Sequence, residues 1–292
     1  GLSQAEGCYL AVWDLETGKM LMQAPTGHKL VYDGPTAFSP DGRYVAAASL
    51  THAMVLDTTT GKVTGQVTAE KGAFKVIGMS PDGVTLAGAM WTNNGNGVEG
   101  DGQITLYDLS TGKVKGKLPR IGAPLGRIAW SPDGKRLVAI TKARDSQPQW
   151  SSEEHGFYLM DVEAGNLVHK FVTPGRDPLN AMYSTDGKLL SLIDTEGMWE
   201  VLDAATFEPV HLRKLGHHQL IAGMSQAGTV AFAGNAETPV KVWDAGKEMQ
   251  RTYPAHLLEY GAVPFVRDGV PMVMSVQGDA ALIDTYSPTE GN

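Results

Sequence analysis

The stretch "AWSPDGKRLVAIT", residues 129–141, places the tetrapeptide Ser-Pro-Asp-Gly between two short apolar segments. Proline at the second position of a tight turn presets φ, and glycine is favoured at the fourth position, so the tetrapeptide predicts a β-hairpin corner. The flanking apolar segments have the length of strands. We therefore interpret the stretch as two antiparallel strands joined by a turn, and the tetrapeptide as a structural element.

The same corner recurs along the chain. Related stretches are "AFSPDGRYVAAAS" (37–49), "GMSPDGVTLAGAM" (78–90), "MYSTDGKLLSLID" (182–194), "GMSQAGTVAFAGN" (223–235) and "PFVRDGVPMVMSV" (264–276). The steps between successive corners are 41, 51, 53, 41 and 41 residues, and the corners begin at Ser39, Ser80, Ser131, Ser184, Ser225 and Val266. A period near forty residues predicts a repeat architecture.

A second motif runs in phase with the first. It consists of apolar residues, then aspartate and often Thr-Gly-Lys, as in "TLYDLSTGK" (105–113). Its aspartates are Asp14, Asp57, Asp108, Asp161, Asp203, Asp244 and Asp284. Each repeat then consists of four short strands, two around each corner. Such units, without helical periodicity, predict an all-β fold, a β-propeller of four-stranded antiparallel blades.

The chain resembles the WD-repeat (WD40-like) propellers, and its Ser-Pro-Asp-Gly corners resemble those of bacterial-type members. The pairs that carry the resemblance are Trp13-Asp14 and Trp243-Asp244 at the end of a third strand, and Gly27-His28 and Gly216-His217 in the loop to the next blade. In the other blades Leu56, Tyr107, Met160, Leu202 and Ile283 replace the tryptophan. The resemblance implies one propeller domain over residues 1–292, with the family's buried polar network incomplete in most blades.

The number of blades depends on how the ring closes. Five complete repeats lie between residues 34 and 253, with a third and a fourth strand (8–13 and 19–23) before them and three strands (263–285) after them. Closure of the ring removes an exposed sheet edge. We predict seven blades, and six is the alternative. Because the chain starts at Gly1 without methionine, we expect it to be part of a longer protein.

Composition excludes several classes of function. The net charge of −8 argues against a nucleic-acid partner, which needs clustered Lys and Arg. Cys8 is the single cysteine, so the chain has no intramolecular disulfide and no cysteine zinc site. No apolar stretch reaches the roughly 18 residues that span a bilayer, so we expect no membrane insertion by this segment. A soluble bacterial protein, cytoplasmic or periplasmic, is the expectation.

An axial site would use the innermost strands. Just before the Ser-Pro-Asp-Gly corners, the best candidates for a small-molecule or hydrolytic (lactonase-like) site at the channel mouth are Asp33, Arg127 and Asn180. A zinc or calcium site would need several carboxylate, histidine or oxygen ligands together, and these positions do not supply them. The sequence contains no nucleophile elbow or phosphate loop. We therefore predict no metal, no cofactor and no catalytic residues.

Two insertions lengthen the same connection in neighbouring repeats. They are "WTNNGNGVEGDG" (91–102) and the segment 142–156, each between a second and a third strand, so we expect them side by side on one face. Each contains a tryptophan, and interface hot spots are enriched in Trp and Arg. The alternative is that each tryptophan folds back over its own blade. The predicted partner-binding residues are Trp91, Asn94, Arg144, Asp145, Trp150, Glu153, Glu154 and His155.

The leading hypothesis is a non-enzymatic scaffold that binds a protein or peptide partner on the face that carries these two loops. Loops on a rigid scaffold often carry function, and loop length here departs from an otherwise regular repeat. The alternative is the channel-mouth site for a small molecule. A third possibility is a spacer or assembly domain, because fold alone does not decide function.

Overall fold

A computed structural model describes the chain in full at residues 35–39, 43–48, 51–91, 100, 102–141, 155–173 and 176–214, and elsewhere the backbone of strands only. The chain divides into two compact units, Gly1–Pro174 and Gly175–Asn292. That residues 1–292 form a single domain remains a prediction from the repeat. Over the described residues, no helix is both long and apolar enough to cross a membrane.

The first unit contains one strand pair and three larger antiparallel sheets. The pair is β1 (Tyr9–Trp13) with β2 (Met20–Pro25). The first sheet has the order β3 (Thr36–Phe38), β4 (Tyr44–Ala48), β5 (His52–Asp57), β6 (Val63–Thr68). The second has β7 (Ala73–Met79), β8 (Thr85–Asn93), β10 (Ile104–Asp108), β11 (Lys113–Lys117), with β9 (Val98–Glu99) added to β8. The third has β12 (Leu125–Trp130), β13 (Arg136–Thr141), β14 (Gly156–Asp161), β15 (Asn166–Val172).

The second unit repeats the same plan. One sheet has the order β16 (Pro178–Tyr183), β17 (Leu189–Asp194), β18 (Met198–Asp203), β19 (Pro209–Lys214). Another has β20 (Leu220–Met224), β21 (Thr229–Ala233), β22 (Val240–Asp244), β23 (Lys247–Tyr253). The last has β24 (Val263–Arg267), β25 (Val270–Gln277), β26 (Ala280–Thr285). The prediction of an all-β chain of four-stranded antiparallel sheets is confirmed, and it is consistent with a β-propeller. The number of blades stays a prediction.

The first strands of consecutive sheets are neighbours within each unit. β3 lies beside β7 and β7 beside β12 in the first unit, while β16 lies beside β20 and β20 beside β24 in the second. Consecutive residues of sheet β7–β11 therefore contribute to two cores. Val76 and Leu106 pack toward sheet β12–β15, whereas Ile77 and Tyr107 pack toward sheet β3–β6. Because both faces of the sheet are buried, its strands are apolar at successive positions.

The Ser-Pro-Asp-Gly corner is held by its own side chains. Ser80 is buried, its hydroxyl donates to Asp82 Oδ1 at 2.5 Å, and it accepts the Thr85 backbone N–H at 2.9 Å. Gly83 has φ of 71°, in the left-handed region that favours glycine. The corners that begin at Ser131 and Ser184 repeat these hydrogen bonds. The serine hydroxyl is thus committed to the turn, in agreement with the structural interpretation of the motif.

The aspartate corner is also a hydrogen-bonded turn. Asp57 Oδ1 accepts the backbone N–H groups of Thr59 and Thr60, each at 2.9 Å, and also the Thr59 hydroxyl. Asp108 and Asp203 accept the equivalent groups of their own turns. Just after this corner, one extra residue on the fourth strand forms a β-bulge against the third strand. The extra residues are Thr64, Lys115, Val168 and Val210. The aspartate motif therefore has a structural function.

The hydrogen bonds to the Asp57 carboxylate predict that the folded chain loses stability in acid. The Thr59 hydroxyl and backbone N–H groups, with Arg43 nearby, lower the pKa of Asp57 to about 2, while the unfolded chain protonates this carboxyl near pH 4. Because the folded chain has the lower pKa, the ionised carboxylate stabilises it; this contribution is present above pH 4 and is lost as the pH falls toward 2. We expect urea unfolding at a series of pH values to show this loss, and Asp57→Asn to be less stable at pH 7 but to lose less on acidification. An identical pH slope for the two proteins would contradict the account.

Candidate docking surface

Trp91 lies near the end of β8, opposite Ala73 on β7. The residue is partly exposed although its indole N–H is buried, and the ammonium group of the exposed Lys75 lies 5.4 Å from the ring centroid. The ring also lies against the backbone of Gly100, because a Cβ built there would be 2.8 Å from Trp91 Cδ1. Trp91 is therefore held on its own sheet, as in the fold-back alternative, while it keeps an exposed part beside a cation.

The two lengthened loops leave their sheets at adjoining positions. A Cβ built at Gly100 would lie 3.6 Å from the Cα of Pro124, which directly precedes β12. The first residue of β12, Leu125, pairs with Thr141 at the end of β13. The Thr141 hydroxyl accepts the Gly156 backbone N–H at 3.1 Å and so joins the two ends of the second loop. We call this end of sheets β7–β11 and β12–β15, with residues 91–102 and 142–156, the loop end.

The first lengthened loop contains regular structure that the sequence did not indicate. β8 continues through Trp91 to Asn93, and Thr92 and Asn93 pair with Glu99 and Val98 of β9. The polar, glycine-rich composition of this segment predicts only an irregular surface loop. A strand of two residues is too short to show alternation, so the sequence carries no signal for it.

The structure describes only two of the eight residues predicted to bind a partner. Trp91 is partly exposed, whereas His155, directly before β14, is fully buried. A buried side chain offers no surface to a partner, so His155 does not belong to the exposed part of the loop end. The other six lie outside the described residues: Asn94, Arg144, Asp145, Trp150, Glu153 and Glu154.

The candidates for a channel-mouth site lie in separate parts of the chain. Arg127 is exposed on β12 in the first unit. Asn180 is half-buried on β16 in the second unit, where its Oδ1 accepts the Ala181 backbone N–H at 3.0 Å. Asp33 lies outside the described residues. Among the residues that the structure does describe, no three His, Cys, Asp or Glu side chains are grouped to hold a metal ion.

An ion pair with a buried carboxylate, in the second unit, is a polar feature that the sequence motifs did not indicate. Arg176 Nη1 lies 2.7 Å from Asp194 Oδ2, and the Asp194 side chain is 2% exposed. Asp194 Oδ1 accepts the backbone N–H groups of Glu196 and Met198, each at 3.0 Å. Burial raises the pKa of Asp194 despite these partners, and burial also raises the pKa of Glu200 nearby.

The repeat itself contained a signal for this pair. Ten residues after the first residue of the corner, the repeat has aspartate at Asp194, whereas the equivalent positions hold Ser49, Met90 and Thr141. A carboxylate at the end of a buried strand needs a cation or hydrogen-bond donors. Alignment of the repeats by their corners would have identified Asp194 as the carboxylate that needs such a partner.

Comparison with known proteins gives a family likeness and a fold likeness. No family model matches the chain. It is 28% identical over 166 residues to the WD repeat-containing protein SL1-17 of Schistosoma mansoni, a match over 54% of this chain and 46% of that protein. The chain therefore spans about half the length of this relative.

Among solved structures, the chain is similar to Kuenenia stuttgartiensis hydrazine synthase. The TM-score is 0.60 at 16% identity, over 82% of this chain and 71% of that one. At this identity the likeness concerns the fold alone. The sequence relative is thus a likeness to a WD repeat-containing protein, and the solved structure and the repeated four-stranded sheets are a likeness of fold.

Proposed function

We propose that the chain is a non-enzymatic interaction module that binds a protein or peptide partner at the loop end. The single observation that carries the proposal is Trp91, which is partly exposed, fixed on a strand and accompanied by Lys75. A tryptophan in a fixed position loses little conformational entropy when it becomes buried in an interface. The side chain thus has the properties of a binding anchor.

The surroundings of Trp91 support a protein partner. The WD-repeat likeness favours protein binding, and the net charge of −8 disfavours binding to the phosphates of nucleic acid. Two neighbouring loops longer than those of the other repeats enlarge the surface around this side chain. Strands β7, β8 and β12 form the scaffold beneath them.

Truncation of the anchor should weaken capture of the partner. We expect Trp91→Ala to weaken binding by about thirtyfold, the effect of losing an interface hot spot of about 2 kcal/mol. The double variant with Trp150→Ala should weaken it further. The measurement is capture by the immobilised chain and its variants from an extract, followed by titration of the captured protein.

A matched control comes from the opposite end of the sheets. Phe38 is 58% exposed on β3, directly before a Ser-Pro-Asp-Gly corner, so Phe38→Ala also removes an exposed aromatic ring. We expect the Phe38→Ala variant to bind like the wild type. Unchanged binding by Trp91→Ala, or equal losses for the two single variants, would contradict binding at the loop end.

A further inference from the structure

The fourth strand of the second sheet, β11, presents a row of lysines. Lys113, Lys115 and Lys117 are exposed, and Val114 and Gly116 between them are half-buried. Residues two apart on a strand lie about 7 Å from each other. The three lysines therefore occupy alternate positions along the edge strand. Lys115 is the extra residue of the bulge between β11 and β10, and its ammonium group lies 3.5 Å from the Thr85 hydroxyl on β8.

Among the fully described fourth strands, β11 alone carries three lysines at alternate positions. β6 carries no charged side chain, and the one lysine of β15, Lys170, lies over the Tyr158 ring at 5.0 Å. On β19, Arg213 Nε donates to His211 Nε2 at 2.9 Å. Lysine on an edge strand prevents accidental strand pairing. If protection of the edge were the only reason for the row, the other three described fourth strands would need it equally, and they do not have it.

The backbone of β11 is open beside these lysines. Among the described strands, β11 pairs with β10 alone, so alternate N–H and C=O groups point away from the sheet. A Cβ built at Gly116 would have no heavy atom within 4 Å. The edge therefore offers backbone hydrogen bonds, and the face of the sheet beside Gly116 is open.

One carboxylate already binds to this row. Glu70 Oε2 lies 2.7 Å from Lys117 Nζ, with the two side chains 52% and 49% exposed. An ion pair this exposed contributes little to stability, so a second carboxylate can replace it at small cost. The edge thus combines positive charge, open backbone groups and an existing carboxylate contact.

We propose that β11 binds an acidic peptide in extended conformation, which adds a strand to the sheet and places carboxylates against Lys113, Lys115 and Lys117. Peptide binding at a sheet edge takes its affinity from backbone hydrogen bonds and its specificity from alternate side chains. A nucleic acid would satisfy the lysines but would not pair with the backbone edge. This surface is separate from Trp91, and the proposal stands independently of the docking function.

The probe is a short fluorescein-labelled peptide in which glutamate alternates with threonine, titrated with the full chain at low salt by fluorescence anisotropy. We expect binding that weakens as salt is added. The triple variant Lys113→Gln, Lys115→Gln, Lys117→Gln should bind about tenfold more weakly. A control with the same charge change at other exposed lysines, Lys135→Gln, Lys188→Gln and Lys214→Gln, should bind like the wild type.

Two further probes test the mode of binding on the unmodified chain. The same peptide with alternate backbone nitrogens methylated keeps its charge but cannot pair as a strand, so we expect its binding to be lost. A single-stranded oligonucleotide of equal charge can reach the lysines but not the backbone edge, so we expect it to displace the labelled peptide only at a concentration about tenfold higher than the unlabelled glutamate peptide needs. Absence of peptide binding, equal binding of the methylated peptide, or displacement by the oligonucleotide at the same concentration as by the unlabelled peptide would each overturn the proposal.

Discussion

Replacement of Trp199 by alanine is expected to lower the free energy of unfolding by about 3–5 kcal/mol. Trp199 is fully buried on β18 and packs with Ile193 and Val201 in the core of the second unit. Its indole N–H donates to the buried Ser191 hydroxyl at 2.8 Å, and its ring meets the His211 ring edge-on at 5.0 Å. Truncation leaves a cavity and removes the hydrogen-bond donor from Ser191.

The conservative variant separates packing from hydrogen bonding. Trp199→Phe keeps most of the apolar contact but removes the donor, so we expect a smaller loss of about 1–2 kcal/mol. Urea unfolding followed by circular dichroism measures both variants against the wild type. A loss below about 1 kcal/mol for Trp199→Ala would show that the core of this sheet does not depend on the ring.

Removal of the cation that pairs with the buried Asp194 carboxylate should have the second large effect. Arg176→Met leaves the Asp194 carboxylate, 2% exposed, without its cation. Loss of one partner of a fully buried pair costs about 3–5 kcal/mol, but Arg176 is one-third exposed, so we expect about 2 kcal/mol at pH 7. Asp194→Asn in the same chain removes the uncompensated charge, and the double variant should recover part of the loss.

The Arg176→Met variant should also gain stability in acid relative to its value at pH 7. Burial raises the pKa of Asp194, and loss of the arginine removes a group that lowers it. A carboxyl whose pKa is raised in the folded chain binds its proton at a higher pH in the folded chain than in the unfolded chain. The destabilisation is therefore relieved as the pH falls through the folded-state pKa. Urea unfolding between pH 7 and pH 4 measures this relief. A stability difference that does not change with pH would contradict the role of the carboxylate.

The sheets could be predicted because their signals are local. The hydroxyl of Ser80 and the carboxylate of Asp57 bond within five residues of themselves, so each corner is encoded in its own tetrapeptide or motif. The repetition of these corners then determines which strands are consecutive neighbours. The strand order of each described four-stranded sheet follows directly from that repetition.

The site was less predictable because burial is not local. His155 lies in a segment rich in polar and charged residues, which predicts an exposed loop, yet packing next to β14 buries it completely. Trp91 belongs to a strand because it pairs with Ala73 of β7, and β9 extends the sheet just beyond it by a pairing that has no sequence signature. The partners Arg176 and Asp194 are 18 residues apart and meet only once β16 and β17 have paired.

Photo-cross-linking tests the docking proposal most directly. Lys71, exposed in the connection before β7, is at the loop end, whereas Lys135, exposed in the β12–β13 corner, is at the other end of the sheets. A photoreactive residue in place of Lys71 is expected to form a covalent product with the captured partner, and one in place of Lys135 is not. Cross-linking from position 135 alone, or equally from both positions, would contradict binding at the loop end.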